Sequence, residues 1–135
     1  MYLLDTNILS ELIKKNPNPC IITRLRSKPV HSLFTSCVCV SELRFGSSLR
    51  ADFEQFWSKM NEEIFSRINI VPLGQKEAVL AGDILAQLAG KVEKIGMDDI
   101  LVAACALANQ LTMVTPHVER YSGIKGLAVE NWFEP

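Results

Sequence analysis

The strongest constraint on what this chain can fold into is an alternation. Short apolar runs end in polar residues and are followed by stretches with helical spacing. Tyr2-Leu3-Leu4 stops at Asp5-Thr6-Asn7; Ile8, Leu9, Leu12 and Ile13 then fall on one helical face, with Glu11, Lys14 and Lys15 outside it. Pro17 and Pro19 break that helix. A second helix passes through Ile21, Ile22 and Leu25 and ends at Pro29. Residues 32–36 read as a second strand. Residues 38–49 read as a helix with Val40 and Leu43 inward, joined by Phe45 or Leu49, and with Glu42 and Arg44 on its polar side. Residues 52–65 give a longer amphipathic helix carrying Phe53, Phe56, Trp57, Met60 and Ile64. Then come a third strand at 68–73, a helix at 75–88, an Ala-rich helix at 98–109, a fourth strand at 111–115 and a fifth at 127–129.

Strands that alternate with helices in this way predict an α/β fold: a mainly parallel central sheet of four to five strands, with helices on both faces. No Gly/Ser linker or repeat divides the 135 residues, so a single domain spanning 1–135 is expected. No run approaches the ~18 uncharged apolar residues that span a bilayer. The start of the chain lacks the basic segment and long apolar stretch of a signal peptide. A cytoplasmic protein without a membrane partner is therefore expected.

Composition excludes several classes. Hydrophobic residues at 48% and charged residues at 21% describe a folded domain, not a disordered one. A net charge of −1 excludes nucleic-acid binding by bulk electrostatics alone, so any such contact must be local or depend on metal ions or a partner. Cys20, Cys37, Cys39 and Cys105 form no C-x-x-C pair, and His31 and His117 are the only imidazoles. The closed ligand set of a zinc site is absent, and the cysteines read as reduced, mostly buried small residues. No G-x-G-x-x-G or Walker sequence is present, which argues against a doubly wound nucleotide-binding protein.

In parallel sheets, ligands bind beyond the carboxyl ends of the strands. The polar residues there, or at the helix starts that follow, are Asp5, Thr6, Asn7, Ser36, Glu42, Thr115 and His117, while Asp98 and Asp99 open the Ala-rich helix. Three regions distant in sequence thus each bring a carboxylate to one edge of one sheet. Carboxylates sharing a pocket repel unless a cation sits among them. An all-oxygen set favours Mg²⁺ or Mn²⁺, an ion that can polarise a phosphate and acidify a water. The reaction class this points to is phosphodiester hydrolysis. Each residue also has a plainer reading. Asp5 could cap the first helix, Asp98 and Asp99 could complement a helix dipole, Glu42 could be a solvated helix carboxylate, and Thr115 an ordinary strand residue.

The same segments resemble the motifs of the PIN-domain family, and within it the VapC-type toxins and their FitB-like relatives. Leu3-Leu4-Asp5-Thr6-Asn7 resembles the first motif, Val40-Ser41-Glu42-Leu43-Arg44-Phe45-Gly46 the second, and Met97-Asp98-Asp99-Ile100-Leu101-Val102-Ala103-Ala104-Cys105-Ala106 the third. Val114-Thr115 with its turn resembles the fourth, and Gly126-Leu127 with Val129-Glu130-Asn131-Trp132 the usual ending. The resemblance covers essentially the whole chain, in order. It implies a three-layer α/β/α sandwich and a metal-dependent endoribonuclease, the toxin of a type II toxin–antitoxin pair that inhibits translation.

It further implies that Asp5, Glu42 and Asp99 are the metal-site acids, holding Mg²⁺ or Mn²⁺. Asn7 and Thr115 would support them, with Thr115 orienting a ligand. Asp99 is preferred to Asp98 because it directly precedes the Ile-Leu-Val-Ala-Ala run. His117 stands where the family commonly carries Asp or Asn. It would favour Mn²⁺, sit near a phosphate as an imidazolium, or simply occupy a turn. The expected partners are an RNA substrate and a small DNA-binding, VapB-like antitoxin whose basic side chain could enter the acidic pocket. A homodimer or hetero-oligomer is expected, with Phe53, Phe56, Trp57 and Met60 serving either an interface or the core. The competing reading is a non-catalytic or weakly catalytic nucleic-acid-binding regulator of the same fold, to which His117 points.

Overall fold

The computed structural model describes residues 1–91 and 95–135. Five strands form one sheet: β1 (Tyr2–Leu4), β2 (Leu33–Ser36), β3 (Asn69–Val71), β4 (Thr112–Val114) and β5 (Val129–Glu130), in the order β3-β2-β1-β4-β5. Every pairing is parallel. The helices are α1 (Thr6–Leu12), α2 (Pro19–Arg26), α3 (Cys37–Ser48), α4 (Phe53–Met60), α5 (Gln75–Leu88) and α6 (Met97–Ala108). The α/β expectation holds, and the sheet is parallel throughout rather than mainly so. Among the described residues no helix is long and apolar enough to cross a membrane.

Central strands of a parallel sheet are covered on both faces, and their sequences read accordingly. Leu3, Leu4, Met113 and Val114 are fully buried, and Thr35 is buried in β2 with its hydroxyl donating to the Leu4 carbonyl at 2.8 Å. The small residues of α6 are what let it lie close to its neighbours: Ala103, Ala104, Cys105 and Ala106 are all buried, and the helix packs on α5, α3, β2 and β4. Burial pushes the Cys105 thiol up to about 12 and also raises that of Cys39, so both stay protonated packing groups. All four cysteines are free, two of them fully buried and two half-buried.

Four differences from the sequence reading are local. On α3 the buried line is Cys39, Leu43 and Ser47, while Phe45 and Leu49 lie 69% and 74% exposed on the other side. A serine takes the inner position because its hydroxyl donates back to the Leu43 carbonyl at 2.7 Å and so carries no unpaired polar atom inward. The helix expected over 52–65 is α-helical only to Met60 and then widens into a π turn at Asn61–Phe65. The fifth strand pairs at Val129–Glu130 rather than 127–129. Pro19, read as a breaker, opens α2 at its first position, where its missing N–H is harmless and Asn18 caps the Cys20 amide at 2.8 Å.

Helix α6 ends without glycine. The Leu111 amide donates to the Ala106 carbonyl at 2.9 Å and that of Gln110 to Leu107 at 3.2 Å, which is a Schellman closure. It places Gln110 at φ 55°, a left-handed conformation that disfavours a Cβ. Replacing Gln110 with Gly is predicted to raise unfolding free energy by about 0.5–1 kcal/mol, as relief of that strain exceeds the added entropy of the unfolded chain. Urea unfolding of the two proteins checks this; a less stable Gly variant contradicts it.

Candidate active site

The parallel register brings distant polar residues together. Leu4 pairs with Val114, so the next residues, Asp5 and Thr115, leave adjacent strands side by side. The Asp5 amide donates to the Val114 carbonyl at 3.2 Å and the Thr115 amide to the Glu130 carbonyl at 3.0 Å, so both residues are held by the ladder just past the strand ends. Asp5 then caps α1: its Oδ1 accepts from the Ile8 amide at 3.1 Å and its Oδ2 from Asn7 Nδ2 at 3.2 Å. The Thr115 hydroxyl lies on the Asp5 side, and its Oγ1 accepts the His117 amide at 3.2 Å.

Asp5, Glu42 and Asp99 line one small cavity of about 30 Å³, together with Thr6, Asn7, Cys39, Val102, Met113 and Tyr121. That is room for about two water-sized species. Thr6, at the first position of α1, donates to Glu42 Oε1 at 3.1 Å and so joins α1 to α3. Asp99, on the first turn of α6, accepts from Arg120 Nη1 at 2.9 Å and lies beside the buried Tyr121. Asp98 is exposed one position earlier and is absent from the cavity wall, yet its charge is felt at Glu42. Thr115 is buried behind Asp5. His117 is exposed and lines a neighbouring groove with Pro116, Arg120, Asn131 and Glu134.

The electrostatics of the cavity are those of crowded, partly dehydrated carboxylates. Burial raises the pKa of Asp5, against hydrogen bonds from Thr115, Asn7 and the Ile8 amide that lower it. Burial also raises Glu42; the Thr6 bond opposes this, while the charges of Asp98, Asp99 and Asp5 add to it. Burial and the same two acids, Asp99 and Asp5, push the Tyr121 phenol far above its usual range, keeping it a neutral donor. The charged groups of the cavity are all carboxylates, a donor set that suits a hard divalent cation, whose charge offsets the repulsion. In the side-chain arrangement described, no three His, Cys, Asp or Glu groups close around a common point among the described residues. Asp99 is turned to Arg120 and Glu42 to Thr6.

A larger groove of about 630 Å³ shares Thr6 and Glu42 with the acid cavity and runs past Lys14, Lys15 and Arg50. Sequence reasoning did not single out these three cations, nor Arg120 or Tyr121 as parts of the site. Solvated Lys and Arg carry no periodic signal, so only the fold groups them. The aromatic residues of α4 divide between roles: Met60 is buried in the core, while Phe53 and Trp57 support Arg44, whose guanidinium lies 4.3 and 4.9 Å from their ring centres.

Comparison with known proteins defines the class. The PIN-domain family model matches residues 2–116, and the chain belongs to that family. It is 32% identical over 133 residues to Ribonuclease VapC2 of Rickettsia felis, covering 98% of each chain. It is 30% identical over 125 residues to the tRNA(fMet)-specific endonuclease VapC of Salmonella typhimurium, covering 85% of this chain and 93% of that one. Among solved structures it is similar to VapBC2 from Rickettsia felis bound to a DNA fragment from its promoter, with 30% identity, a TM-score of 0.85, and 97% and 98% of the two chains covered. The family resemblance and the PIN-like α/β sandwich expected from the motifs both hold.

The raised pKa of Asp5 has a consequence for stability. A carboxyl whose folded pKa lies above its unfolded value binds its proton more tightly when folded. Its favourable contribution is complete below the unfolded pKa and is lost as pH rises through the folded one. Asn at position 5 keeps an oxygen for the Ile8 amide and removes the charge. In EDTA at pH 7, Asp5→Asn is therefore predicted to be at least as stable as wild type, with the advantage shrinking as pH falls towards 4. Urea unfolding at several pH values checks this; an Asn variant destabilised at pH 7 would show that capping by the charged form outweighs crowding.

Proposed function

We propose that the chain is a metal-dependent endoribonuclease that hydrolyses RNA phosphodiester bonds, acting as the toxin of a type II toxin–antitoxin pair and thereby inhibiting translation. The observation that carries this reading is the convergence of Asp5, Glu42 and Asp99 on one cavity from three elements of the sheet edge. The ribonuclease and tRNA-endonuclease names of its relatives and the VapBC complex among its structural neighbours support it.

Asp5, Glu42 and Asp99 are assigned as the catalytic acids that hold Mg²⁺ or Mn²⁺. A bound ion supplies positive charge at the phosphate and a more acidic water. Asn7 fixes the rotamer of Asp5 by donating to its carboxylate, and Thr115, beside it, is assigned as its second supporting hydroxyl. Asp98 adds negative charge near Glu42 without lining the cavity. His117 lines the adjoining groove and not the acid cavity, which supports assigning it to the RNA strand rather than the ion. The groove with Lys14, Lys15 and Arg50 supplies the local positive charge that a chain of net charge −1 needs near a polyanion. A VapB-like antitoxin is the partner assigned, in a hetero-oligomer.

The test is cleavage of a mixed RNA substrate by partner-free protein in Mn²⁺ or Mg²⁺. Wild type is expected to cleave, to stop in EDTA, and to lose more than about 100-fold of its rate in Asp5→Asn and Asp99→Asn, since each removes an electrostatic stabiliser of the transition state. Thr115→Val is expected to lose roughly 10- to 100-fold, the usual loss on removing a partner of a ligand. A folded wild type that cleaves no RNA with either metal, yet binds RNA, would instead support a binding regulator. A gain in rate with His117→Asp would show that the imidazole weakens the site.

A further inference from the structure

Of the ion pairs among the described residues, only Arg120–Asp99 engages an acid of the cavity. Arg120 leaves the short turn Val118–Tyr121, which is anchored by the next residue: Tyr121 is buried and lines the cavity with the same Asp99. The root of the arginine is thus fixed beside the cavity while its side chain remains 43% exposed. The contact is end-on, through Nη1 alone at 2.9 Å, and is the single side-chain hydrogen bond of Arg120 among the described residues. The other donors of the guanidinium are left for another acceptor. Its remaining neighbours line the open groove of Pro116, His117, Asn131 and Glu134.

An exposed, single-bonded ion pair is weakly held and exchanges readily. Asp99 therefore faces two competing cations, the guanidinium and any divalent ion that the cavity accepts. The guanidinium in turn faces two anions, Asp99 and a phosphate of a strand lying in the groove, and its planar fork matches a phosphate better than the end-on carboxylate contact it makes here. We propose that Arg120 serves these two anions in turn. It occupies Asp99 in the metal-free protein, and it contacts an RNA phosphate at the groove beside His117 once Asp99 turns to the divalent ion. The arginine is then both a built-in competitor of the metal and a contact to the substrate. The proposal rests on the nuclease reading of the same site.

Two readings of one variant test it. Mn²⁺ affinity is measured by calorimetry without RNA, and kcat/KM for a single-stranded RNA is measured at saturating Mn²⁺ over a range of salt. Arg120→Gln is expected to bind Mn²⁺ several-fold more tightly, to lose at least about 10-fold in kcat/KM, and to show a log–log salt slope shallower by roughly one. Arg120→Lys, which keeps the charge without the fork, is expected to fall between the two. Unchanged Mn²⁺ affinity in Arg120→Gln overturns the proposal, as does tighter Mn²⁺ binding with unchanged cleavage and salt slope. A wild type that does bind Mn²⁺ and cleave RNA, matched in both by Arg120→Gln, overturns this proposal alone. A wild type that does neither overturns the nuclease reading and this proposal with it.

Discussion

Everything at the site depends on β1 lying between β2 and β4 in parallel register. Tyr2 pairs with Leu33 on one side and Thr112 on the other, and Leu4 pairs with Val114. All the strands therefore end at one edge, and residues far apart in sequence become neighbours there. Slipping β1 by one residue would turn Leu3 and Leu4 to the opposite faces and move Asp5 away from Thr115. The buried leucines thus specify the position of the acid as well as the stability of the sheet.

Asp5 resolves two readings that looked like alternatives. It caps α1 through the Ile8 amide, and it also lines the acid cavity. One carboxylate does both because its two oxygens are divided between Ile8 and Asn7. Capping fixes the rotamer, and a fixed rotamer is what a crowded cavity requires, since a mobile carboxylate would swing to solvent and relax the repulsion. Glu42 is oriented by Thr6 across two helices, and Asp99 by Arg120. Each acid of the cavity is held by a hydrogen-bond donor from its own neighbourhood.

Much of this was legible in the sequence because it rests on periodicity. The strand ending at Leu4, the span of α5 and the small-residue face of α6 follow from alternation and composition, while the fourth strand, expected over 111–115, pairs only over Thr112–Val114. The membership of Asp5 and Asp99 in one site follows from their places at a strand end and a helix start. Glu42 was grouped with the strand-end residues although it lies well inside α3, and the motif resemblance singled it out as a site acid. Phe45 and Leu49 were misplaced because hydrophobicity alone cannot show that Ser47, satisfied by its own helix, takes the buried line. Arg120, Tyr121, Lys14, Lys15 and Arg50 were missed for a related reason. Their grouping is created by turns and helix ends, where no period operates.

On folding, Asp5, Glu42 and Asp99 are proposed to form a cation site. Thermal unfolding of the metal-free protein with increasing Mn²⁺ tests it most directly, because a ligand that binds only the folded state raises Tm by mass action. For wild type, Tm is expected to keep rising with Mn²⁺ concentration, and the rise is expected to vanish when Asp5, Glu42 and Asp99 are together replaced by Asn, Gln and Asn. A wild-type Tm indifferent to Mn²⁺, or a rise that persists in the triple variant, would contradict it.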